Sequence, residues 1–478
     1  MFFKRFYDDG LAQASYLIGC QATGDALVID ANRDTQQYLD AAAAEKLRIT
    51  HVSETHIHAD YVSGSRELAK RTGAKLYLSA EGGKDWQYGF ATSDGATLLR
   101  DGDVIKVGNI RIEVLHTPGH TPEHISFLVT DTAGASEPMG IVTGDFVFVG
   151  DVGRPDLLEK AAKVANTMED GARTLFRSLE RFRALPDYIQ VWPGHGAGSA
   201  CGKALGAVPM STVGYEKRFN WGVGTTDEAT FVEMVLAGQP EPPLYFAEMK
   251  RINRDGPPIL GGFTLPPQGA RESLGVALGG NAAVLDLRAA TEFAKGHIPG
   301  TINIPLNKSF STWAGWLVRY DQPIHLIVDA ADAPKAVREL AMIGLDHVAA
   351  WYAPSIVGEW EKAGQALGTV RKTDVAHLAP QLAAGDVTVV DVRNRSEYEA
   401  GHLPGSLHIP VGYLAERLAE IPRDKPIIVQ CQSGARSAIA TSVLQKLGVG
   451  NATDLVGGFV AWKHAGQDVV VESATAGV

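Results

Sequence analysis

Cysteine is scarce in this chain, with only Cys20, Cys201 and Cys431 among 478 residues. An odd and sparse set of cysteines cannot form a disulfide framework, which favours a reducing compartment. The sequence also lacks any run of about 18 or more apolar residues, which argues against a membrane span. At the start of the chain, Asp8 and Asp9 stand where a signal peptide needs an apolar stretch. We therefore expect a soluble cytoplasmic protein without a membrane partner.

An excess of basic charge is missing as well. The chain has 44 Lys and Arg against 55 Asp and Glu, a formal net charge of -11. A sequence-independent nucleic-acid binder needs a basic surface to release counterions, so we expect no nucleic-acid partner. Hydrophobic residues make up 45% and charged residues 21% of the chain, a globular balance that excludes disorder as the dominant state.

The length of the chain indicates about three domains, at roughly 150 residues per domain. Short β-rich runs alternate with helical runs in the first half, which predicts a mixed α/β fold. The predicted strands lie at 26–30, 49–53, 76–79, 110–115 and 125–129, and the predicted helices at 35–46 and 157–182. Four prolines and three glycines in residues 256–267 indicate a linker, so we expect a first domain over residues 1–255.

Beyond this linker, four short blocks occur twice, and each pair is separated by 105 residues. The paired blocks lie at 286–288 and 391–393, 292–293 and 397–398, 296–300 and 401–405, and 303–305 and 408–410. This period is far too long for a solenoid unit, so it indicates a duplicated small domain. We expect the two copies at residues 268–364 and 372–478.

Four histidine- or aspartate-bearing motifs follow β-rich runs in the first domain. They are Thr-His-Ile-His-Ala-Asp-Tyr at 55–61, His-Thr-Pro-Gly-His-Thr at 116–121, Val-Thr-Gly-Asp at 142–145 and Trp-Pro-Gly-His-Gly at 192–196. A single histidine after a strand is usually a structural residue, and His116 taken alone has that interpretation. Four such motifs in turns marked by glycine or proline favour a metal site, because their side chains can converge on one ion.

The order of these motifs resembles the metallo-β-lactamase fold, an αββα sandwich, over about residues 1–250. Dinuclear zinc hydrolases of that superfamily usually carry His-x-His-x-Asp-His, and this chain has Tyr61 in place of the last histidine. A neutral phenol is a poor ligand, so we expect the second metal site to be weak or absent. His56, His120 and Asp145 then remain for one metal, and two histidines with one carboxylate form the set used by non-haem Fe(II) oxygenases.

Further blocks at 153–156, 211–220 and 242–250 are similar to the persulfide dioxygenase branch, which is close to the glyoxalase II hydrolases. The resemblance implies one Fe(II) per chain bound by His56, His120 and Asp145, with His58, Asp60, Tyr61 and His195 around it. It also implies that O₂ oxidises a low-molecular-weight persulfide, such as glutathione persulfide, to sulfite.

Arg154 and Cys201 each have both a functional and a structural interpretation. Arg154 matches a family position at the thiol-carrier site, where a guanidinium can pair with a substrate carboxylate; a loop-bracing role is the alternative. Cys201 lies six residues after His195. If its loop borders the metal site, its thiol can relay persulfide sulfur, and otherwise it is inert. Cys20 is expected to be a small core residue.

A predicted strand at 425–430 leads into Cys-Gln-Ser-Gly-Ala-Arg-Ser at 431–437 and then into a predicted helix at 437–447. Backbone N–H groups at a helix N-terminus, together with Arg436, favour a thiolate or a persulfide anion on Cys431. With the blocks at 391–393, 401–405 and 457–462, this segment resembles a rhodanese over about residues 372–468. The resemblance implies that Cys431 accepts sulfane sulfur, while Asp391 and Arg393 are structural.

The first copy has no cysteine in the equivalent segment, residues 323–332, so we expect a degenerate rhodanese-like domain kept for packing or oligomer contacts. The whole chain resembles a persulfide dioxygenase fused to two rhodanese domains. The implied partners are a persulfide, O₂, and thiosulfate or sulfite, and we expect a homo-oligomer. A zinc-dependent thiolester hydrolase of the glyoxalase II type is the first alternative, and a non-catalytic sulfide or redox sensor is the second.

Overall fold

The computed structural model describes residues 1–157, 168–203, 205–239 and 241–471. The chain divides into two compact units. The first contains Met1–Phe263 together with Arg338–Gly344, and the second contains Thr264–Val337 and the chain from Leu345 onwards. The division between the units lies inside the turn-rich segment 256–267. The finer partition into 1–255, 268–364 and 372–478 stays a prediction.

Two six-stranded sheets form the first unit. The first sheet has its strands in sequence order: β1 (Phe2–Asp8), β2 (Gln13–Cys20), β3 (Asp25–Ile29), β4 (Arg48–Ser53), β5 (Lys75–Ser79) and β6 (Thr97–Leu99). The second sheet contains β7 (Val104–Val107), β8 (Ile110–His116), β9 (Ile125–Asp131), β10 (Gly140–Gly144), β11 (Gln190–Pro193) and β12 (Ser211–Thr212). Its spatial order is β12-β11-β10-β9-β8-β7.

The helices of the first unit are α1 (Gln36–Ala44), α2 (Ser65–Thr72), α3 (Met168–Arg183), α4 (Val213–Phe219), α5 (Trp221–Gly224), α6 (Glu228–Leu236) and α7 (Phe246–Asp255). The five predicted strands and the helix predicted at 35–46 are confirmed, with ends shifted by one or two residues. Of the helix predicted at 157–182, residues 158–167 lie outside the described residues, and Gly171 lies within α3 without interrupting it. Among the described residues, no helix combines the length and the apolar character needed to cross a bilayer.

The two sheets share a core, and helices cover their outer faces. Successive residues of β2 point to opposite faces, as strand geometry requires. Tyr16 and Ile18 join the apolar cluster between the sheets, whereas Leu17 joins the cluster that α1 and α2 form with the first sheet. Phe176 and Leu179 of α3 belong to the cluster on the outer face of the second sheet. This is the αββα sandwich that the sequence predicts. The loops after β4, β8, β10 and β11 carry the four candidate metal motifs.

The second unit contains two sheets whose neighbouring strands run parallel. One has the order β14-β13-β15-β16 and the other the order β17-β21-β20-β18-β19. Their strands are β13 (Ala283–Asp286), β14 (Ile302–Asn303), β15 (Ile324–Ile327), β16 (Val348–Tyr352), β17 (Arg371–Thr373), β18 (Thr388–Asp391), β19 (Leu407–His408), β20 (Ile427–Gln430) and β21 (Ala452–Leu455). The remaining helices are α8 (Arg271–Gly279), α9 (Ala290–Lys295), α10 (Phe310–Leu317), α11 (Ala333–Met342), α12 (Ile356–Lys362), α13 (Val375–Ala384), α14 (Arg395–Glu399), α15 (Ala435–Lys446) and α16 (Gly458–His464).

The sequence repeat corresponds to a repeated set of hydrogen bonds. In the second copy, Arg393 Nε donates to Asp391 Oδ1 at 3.0 Å, and its Nη2 donates to the Gly401 carbonyl at 2.7 Å. In the first copy, Arg288 Nε donates to Asp286 Oδ1 at 2.9 Å, and its Nη2 donates to the Gly296 carbonyl at 3.0 Å. The arginine therefore ties the end of a strand to the following glycine turn in both copies, which is the structural role expected for Asp391 and Arg393.

Candidate active sites

Three of the predicted metal ligands come together where the loops after β4, β8 and β10 meet. His120 Nε2 lies 3.5 Å from Asp145 Oδ2, and His56 Nε2 lies 4.0 Å from the same oxygen. One ligand atom from each of the three residues lies within 4.8 Å of the other two. All three side chains are buried. This arrangement can surround a single ion with two imidazoles and one carboxylate.

The protein holds the other ring nitrogen of each ligand histidine. His56 Nδ1 lies 3.0 Å from Thr55 Oγ1, and His120 Nδ1 lies 3.0 Å from the main-chain carbonyl of Arg154, to which it donates. Metal-binding histidines commonly use their second nitrogen in this way, because the hydrogen bond sets the tautomer and the direction of the ring. The Nε2 atoms of both rings are thereby left facing Asp145.

The buried polar atoms at this point fit a bound metal ion. Both carboxylate oxygens of Asp145, Asp60 Oδ2 and His195 Nε2 have no hydrogen-bond partner. Leaving such atoms unsatisfied in a buried site is costly, and coordination to a cation removes that cost. Imidazole suits iron and zinc alike, so the donor set supports a divalent transition metal without selecting one of them.

His58 lies beside this ligand set, with 4.2 Å between its ring centroid and that of His56. Its Nε2 lies 3.2 Å from Asp30 Oδ1. Burial lowers the pKa of His58, but the carboxylates of Asp30, Glu54 and Asp60 together outweigh that effect, and the pKa rises to about 9. Its Nδ1 is buried without a hydrogen-bond partner, and His58 is not among the three residues whose ligand atoms group together.

A second group of metal-ligating side chains adjoins the first. His195 Nε2 lies 3.3 Å from Asp60 Oδ2 and 3.4 Å from Asp145 Oδ1, while its Nδ1 bonds the Ala12 carbonyl at 2.9 Å. Cys201 completes this group, with its sulfur within 4.8 Å of the ligand atoms of Asp60 and His195. Burial, and then the charges of the two carboxylates, raise the pKa of the Cys201 thiol well above its usual value. The structure thus brings Cys201 beside the candidate metal centre.

Tyr61 offers no ligand to this second group. Its hydroxyl donates to the Asp30 carbonyl at 3.3 Å and accepts from Gln13 Nε2 at 3.3 Å. Its ring packs on His58, with 4.5 Å between ring centroids. Burial raises the pKa of Tyr61 well above its usual value, so the phenol stays neutral. An anionic phenolate oxygen is therefore absent here.

Arg154 lies inside the first unit, and its guanidinium contacts other protein groups. Nε and Nη2 donate to the two carboxylate oxygens of Asp156 at 2.8 and 2.7 Å, and Nη1 donates to the Ala200 carbonyl at 2.9 Å. Neither Arg154 nor Asp156 is exposed to solvent. The geometry therefore favours loop bracing, the alternative interpretation of Arg154, over pairing with a substrate carboxylate.

Asn253, a buried residue that was not predicted from the sequence, holds a ligand loop. Its side-chain amide donates to the carbonyls of His58 and Tyr61 at 2.8 and 2.7 Å. Its oxygen accepts the Ser63 N–H at 2.9 Å, so one side chain closes three main-chain contacts on the loop that carries Asp60. Asparagine is a poor helix former, and its position inside α7 was the available signal.

His124, also missed, contacts the ligand set directly. Its Nε2 accepts the main-chain N–H of Asp145 at 3.1 Å, and its side chain is fully buried. Burial, followed by the neighbouring His120, lowers the pKa of His124 well below its usual value. The available signal was its place four residues after His120 in the same glycine-marked turn.

The predicted sulfur carrier, Cys431, follows β20 directly and is buried. Its sulfur accepts the Gly434 N–H at 3.1 Å and lies 3.6 Å from Ser437 Oγ at the start of α15. Arg436 is bound to Glu397 through two hydrogen bonds of 2.6 and 2.7 Å. The sulfur therefore accepts a hydrogen bond from a backbone N–H, while the Arg436 guanidinium is paired with Glu397.

The carbonyl groups of the Cys431 loop face a neighbouring helix. The N–H of Phe459, in the first turn of α16, donates to the Cys431 carbonyl at 2.8 Å, and the Val460 N–H donates to the Gln432 carbonyl at 3.0 Å. Gly458 has a φ of +53°, and a Cβ there would lie 2.1 Å from the Cys431 carbonyl oxygen. Only glycine therefore allows this close approach of helix and loop.

The first rhodanese-like copy has the same strand register without the thiol. Asp286 pairs with Ile327 in the first copy, as Asp391 pairs with Gln430 in the second. Val328 therefore occupies the place of Cys431. The loop that follows carries Asp329 and Asp332, both exposed. This copy has neither a sulfur nucleophile nor a basic side chain at that loop.

Family models match both units of the chain. The model of the metallo-beta-lactamase superfamily matches residues 8–195. The model of the rhodanese-like domain matches twice, at residues 273–352 and 374–465. The two rhodanese matches coincide with the two parallel sheets of the second unit.

One solved structure is similar over most of the chain. The metallo-beta-lactamase from Staphylococcus aureus subsp. aureus COL is 47% identical, with a TM-score of 0.67, and the match covers 74% of this chain and 99% of that one. A "Sulfurtransferase" of Allochromatium vinosum is 36% identical over 102 residues, which are 21% of this chain and 95% of the relative.

Other relatives match the first unit. A "Hydroxyacylglutathione hydrolase" of Rhodopseudomonas palustris is 27% identical over 54% of this chain and 90% of its own length. A "Beta-lactamase hydrolase-like protein" of Xylella fastidiosa is 28% identical over 253 residues, or 48% of this chain. This chain spans 54% of the length of that Xylella relative.

Proposed function

The chain belongs to the metallo-β-lactamase superfamily and carries rhodanese-like domains after that fold, and from this premise we propose an iron-dependent persulfide dioxygenase coupled to a sulfurtransferase. The observation that carries the proposal is the ligand set of His56, His120 and Asp145. Two imidazoles and one carboxylate are the donors of non-haem Fe(II) oxygenases, and they leave coordination positions open. His58 is not among the residues whose ligand atoms group with those of these three.

The reaction balances with O₂ and water as co-reactants. One persulfide, one O₂ and one water give one thiol and one sulfurous acid, which ionises to sulfite. The outer sulfur loses four electrons, and O₂ accepts them. Bound Fe(II) would supply a soft, open site at which the persulfide sulfur and O₂ meet. The buried side chains around it limit the access of bulk water to the reacting sulfur.

Cys201 is proposed as a relay for persulfide sulfur. Its thiol lies with Asp60 and His195 beside the ligand set. In a relay step, the Cys201 thiol passes its proton to the neighbouring Asp60–His195 pair, and its sulfur attacks the outer sulfur of the incoming persulfide. The sulfur–sulfur bond breaks, and the carrier leaves as a thiol with that proton. An inert thiol remains the alternative. Cys201→Ser distinguishes these two roles. If Cys201 relays sulfur, the variant changes the reaction products while its metal content stays that of the parent. If the thiol is inert, the products do not change.

Cys431 is proposed to carry sulfane sulfur in the second unit. Its sulfur attacks the outer sulfur of a persulfide or of thiosulfate, and a thiol or sulfite leaves as that bond breaks. The reverse step joins sulfite to the outer sulfur on Cys431 and releases thiosulfate. Because the metal centre and Cys431 belong to one chain, sulfite released at the metal centre is supplied to Cys431 at a raised effective concentration.

Oxygen uptake by iron-loaded full-length protein tests the proposed function. Glutathione persulfide, coenzyme A persulfide and a small alkyl persulfide should be compared, with sulfite and thiosulfate measured as products. We expect consumption of one O₂ for each sulfite equivalent formed. Iron-loaded protein that takes up no O₂ with any of these persulfides would refute the dioxygenase.

A zinc-dependent thiolester hydrolase of the glyoxalase II type is the second candidate. The presence of Asp60 and His195 beside the first ligand set favours it, as does the name of the Rhodopseudomonas relative. It requires two zinc ions and hydrolysis of an acylglutathione. Hydrolysis by zinc-loaded protein, with no O₂ uptake by the iron-loaded form, would support this alternative.

A further inference from the structure

His124 lies among the three proposed metal ligands. Its Nε2 accepts the main-chain N–H of Asp145 at 3.1 Å. Its ring stacks on His56, with 5.0 Å between centroids and 29° between planes. The ring of His120 stands perpendicular to it at 6.4 Å. One imidazole outside the ligand set thus contacts or faces all three ligands.

The hydrogen bonds determine which nitrogen of His124 carries the proton. A main-chain N–H can only donate, so Nε2 must present its lone pair to Asp145. The proton then lies on Nδ1, which donates to Thr117 Oγ1 at 2.9 Å. Thr117 Oγ1 also lies 2.9 Å from Ser126 Oγ, and either hydroxyl can donate in that contact. The side chains of His124, Thr117 and Ser126 are all buried.

The turn that carries Asp145 is pressed against the same imidazole. Gly144 ends β10 with a φ of +49°, a conformation that favours glycine. A Cβ at this position would lie 2.8 Å from His124 Nε2 and 2.5 Å from Thr55 Oγ1. The path of the turn, and with it the direction of the Asp145 side chain, therefore depends on where the His124 ring lies.

We propose that His124 is a positioning residue for the metal: its Nδ1-protonated imidazole anchors the Asp145 backbone and so aims that carboxylate at the point where His56 and His120 converge. His124 acts through Asp145 and touches neither metal nor substrate. The inference rests on the metal centre of the proposed function and deepens it.

Two variants of full-length protein separate the hydrogen bond to Asp145 from the bond to Thr117. The side-chain oxygen in His124→Gln reaches the place of Nε2, so it can still accept the Asp145 N–H. His124→Asn places its amide near the former Nδ1, so it keeps a partner in Thr117 and loses the bond to Asp145. The measurements are Co²⁺ affinity, by competition with a chelator, and the visible d–d absorption of the bound Co²⁺.

We expect His124→Asn to weaken Co²⁺ binding by about 10- to 100-fold, which is the usual effect of losing a hydrogen bond that orients a metal ligand. The d–d bands of the bound Co²⁺ should also shift. His124→Gln should stay within a few-fold of the parent, with its spectrum restored. Equal behaviour of the two variants, or parental affinity and spectrum in both, would overturn the proposal. A merely structural role changes thermal stability but gives the two variants the same Co²⁺ spectrum.

Thr117→Val is a further variant. It keeps the proposal testable if a substitution at His124 prevents the protein from folding. Valine matches threonine in shape and removes the hydroxyl that accepts from His124 Nδ1 and contacts Ser126 Oγ. We expect a fall in Co²⁺ affinity of about 10-fold, smaller than for His124→Asn. Unchanged affinity would count against the proposal. Co²⁺ binding requires no persulfide and no O₂, so a failed dioxygenase assay leaves this result independent.

Discussion

The main-chain carbonyl of Arg154 accepts a hydrogen bond from His120 Nδ1 at 3.0 Å, so the residue that braces this loop also orients a metal ligand. Its side chain is bound to Asp156 and to the Ala200 carbonyl. The buried ion pair thus holds in place the carbonyl that directs the His120 ring. Arg154 contributes to the site through its backbone, and its guanidinium stabilises the loop.

Replacing Arg154 with methionine should destabilise the first unit and weaken metal binding together. The change leaves the Asp156 carboxylate buried without its partner, and breaking such a pair costs about 3–5 kcal/mol. The double variant Arg154→Met with Asp156→Leu should recover much of that stability, because no charge is left unpaired. Thermal unfolding and metal content provide the measurements. A single variant that kept parental stability and raised only the KM for persulfide would support the substrate-binding interpretation instead.

Replacing Asp145 should abolish both iron retention and O₂ consumption. Protein purified with its metal should hold about one Fe per chain, as one set of two histidines and a carboxylate requires. Asp145→Ala removes one of three ligands, and Asp145→Asn keeps the shape while removing the negative charge. Metal analysis and an oxygen electrode measure the two effects. Full activity in a preparation with two Zn and no Fe would refute the iron centre.

Cys431→Ser should eliminate sulfur exchange between thiosulfate and thiols. A hydroxyl has a far higher pKa than a thiol and cannot hold sulfane sulfur at neutral pH. O₂ uptake with a supplied persulfide should persist, because His56, His120 and Asp145 belong to the first unit. The product should shift from thiosulfate towards sulfite, measured by chromatography.

Val328→Cys is the matched variant in the other copy. It places a thiol at the equivalent strand end, beside Asp329 and Asp332. Without a basic residue in that loop, it should add no exchange activity to Cys431→Ser. Full thiosulfate–thiol exchange in Cys431→Ser alone would assign the carrier role to Cys201 or Cys20.

Asp454, on β21, should make the stability of the second unit depend on pH. Burial raises the pKa of Asp454 to about 6. Because the folded state favours the protonated carboxyl, its contribution is complete below the unfolded pKa of about 3.9 and is lost as the pH rises through 6. Asp454→Asn should therefore gain stability relative to the parent between pH 4.5 and 7, by up to about 3 kcal/mol.

Calorimetric unfolding of the full chain at several pH values measures this difference. Asp424→Asn is the control, since Asp424 is an exposed carboxylate in the same unit. Its pH profile should follow that of the parent. Parallel profiles for Asp454→Asn and the parent protein would show that Asp454 does not titrate in this range.

The order of the motifs predicted the fold through its resemblance to a known superfamily, and glycine and proline turns after β-rich runs placed the candidate ligands at strand ends. The same reasoning brought His56, His120 and Asp145 to one place. The sequence could not show that His58 faces Asp30. Two histidines that are two residues apart look alike in the sequence and differ only in the partner that each ring contacts in the folded protein. That partner, Asp30, directly follows β3 and lies 28 residues earlier in the chain.

The other differences between the predicted and the observed sites concern the partner that each side chain contacts. Arg154 carries the charge a substrate carboxylate needs, and only the folded chain shows that Asp156 already occupies its guanidinium. Arg436 was expected near Cys431, and its pairing with Glu397 depends on α14 lying beside α15. His124 and Asn253 act through main-chain atoms, so their residue types alone do not show which loops they hold. Burial and hydrogen-bond direction, rather than composition, identify such residues.

Peptide groups set the polarity of the loop around Cys431. Its carbonyl groups are occupied by N–H groups of α16, and the Gly434 N–H faces the sulfur. Peptide dipoles do not titrate, so this polarity persists at every pH at which the domain is folded. We therefore expect the loop to favour an anionic sulfur on Cys431, or an anionic carrier such as thiosulfate, even when no side chain changes its charge.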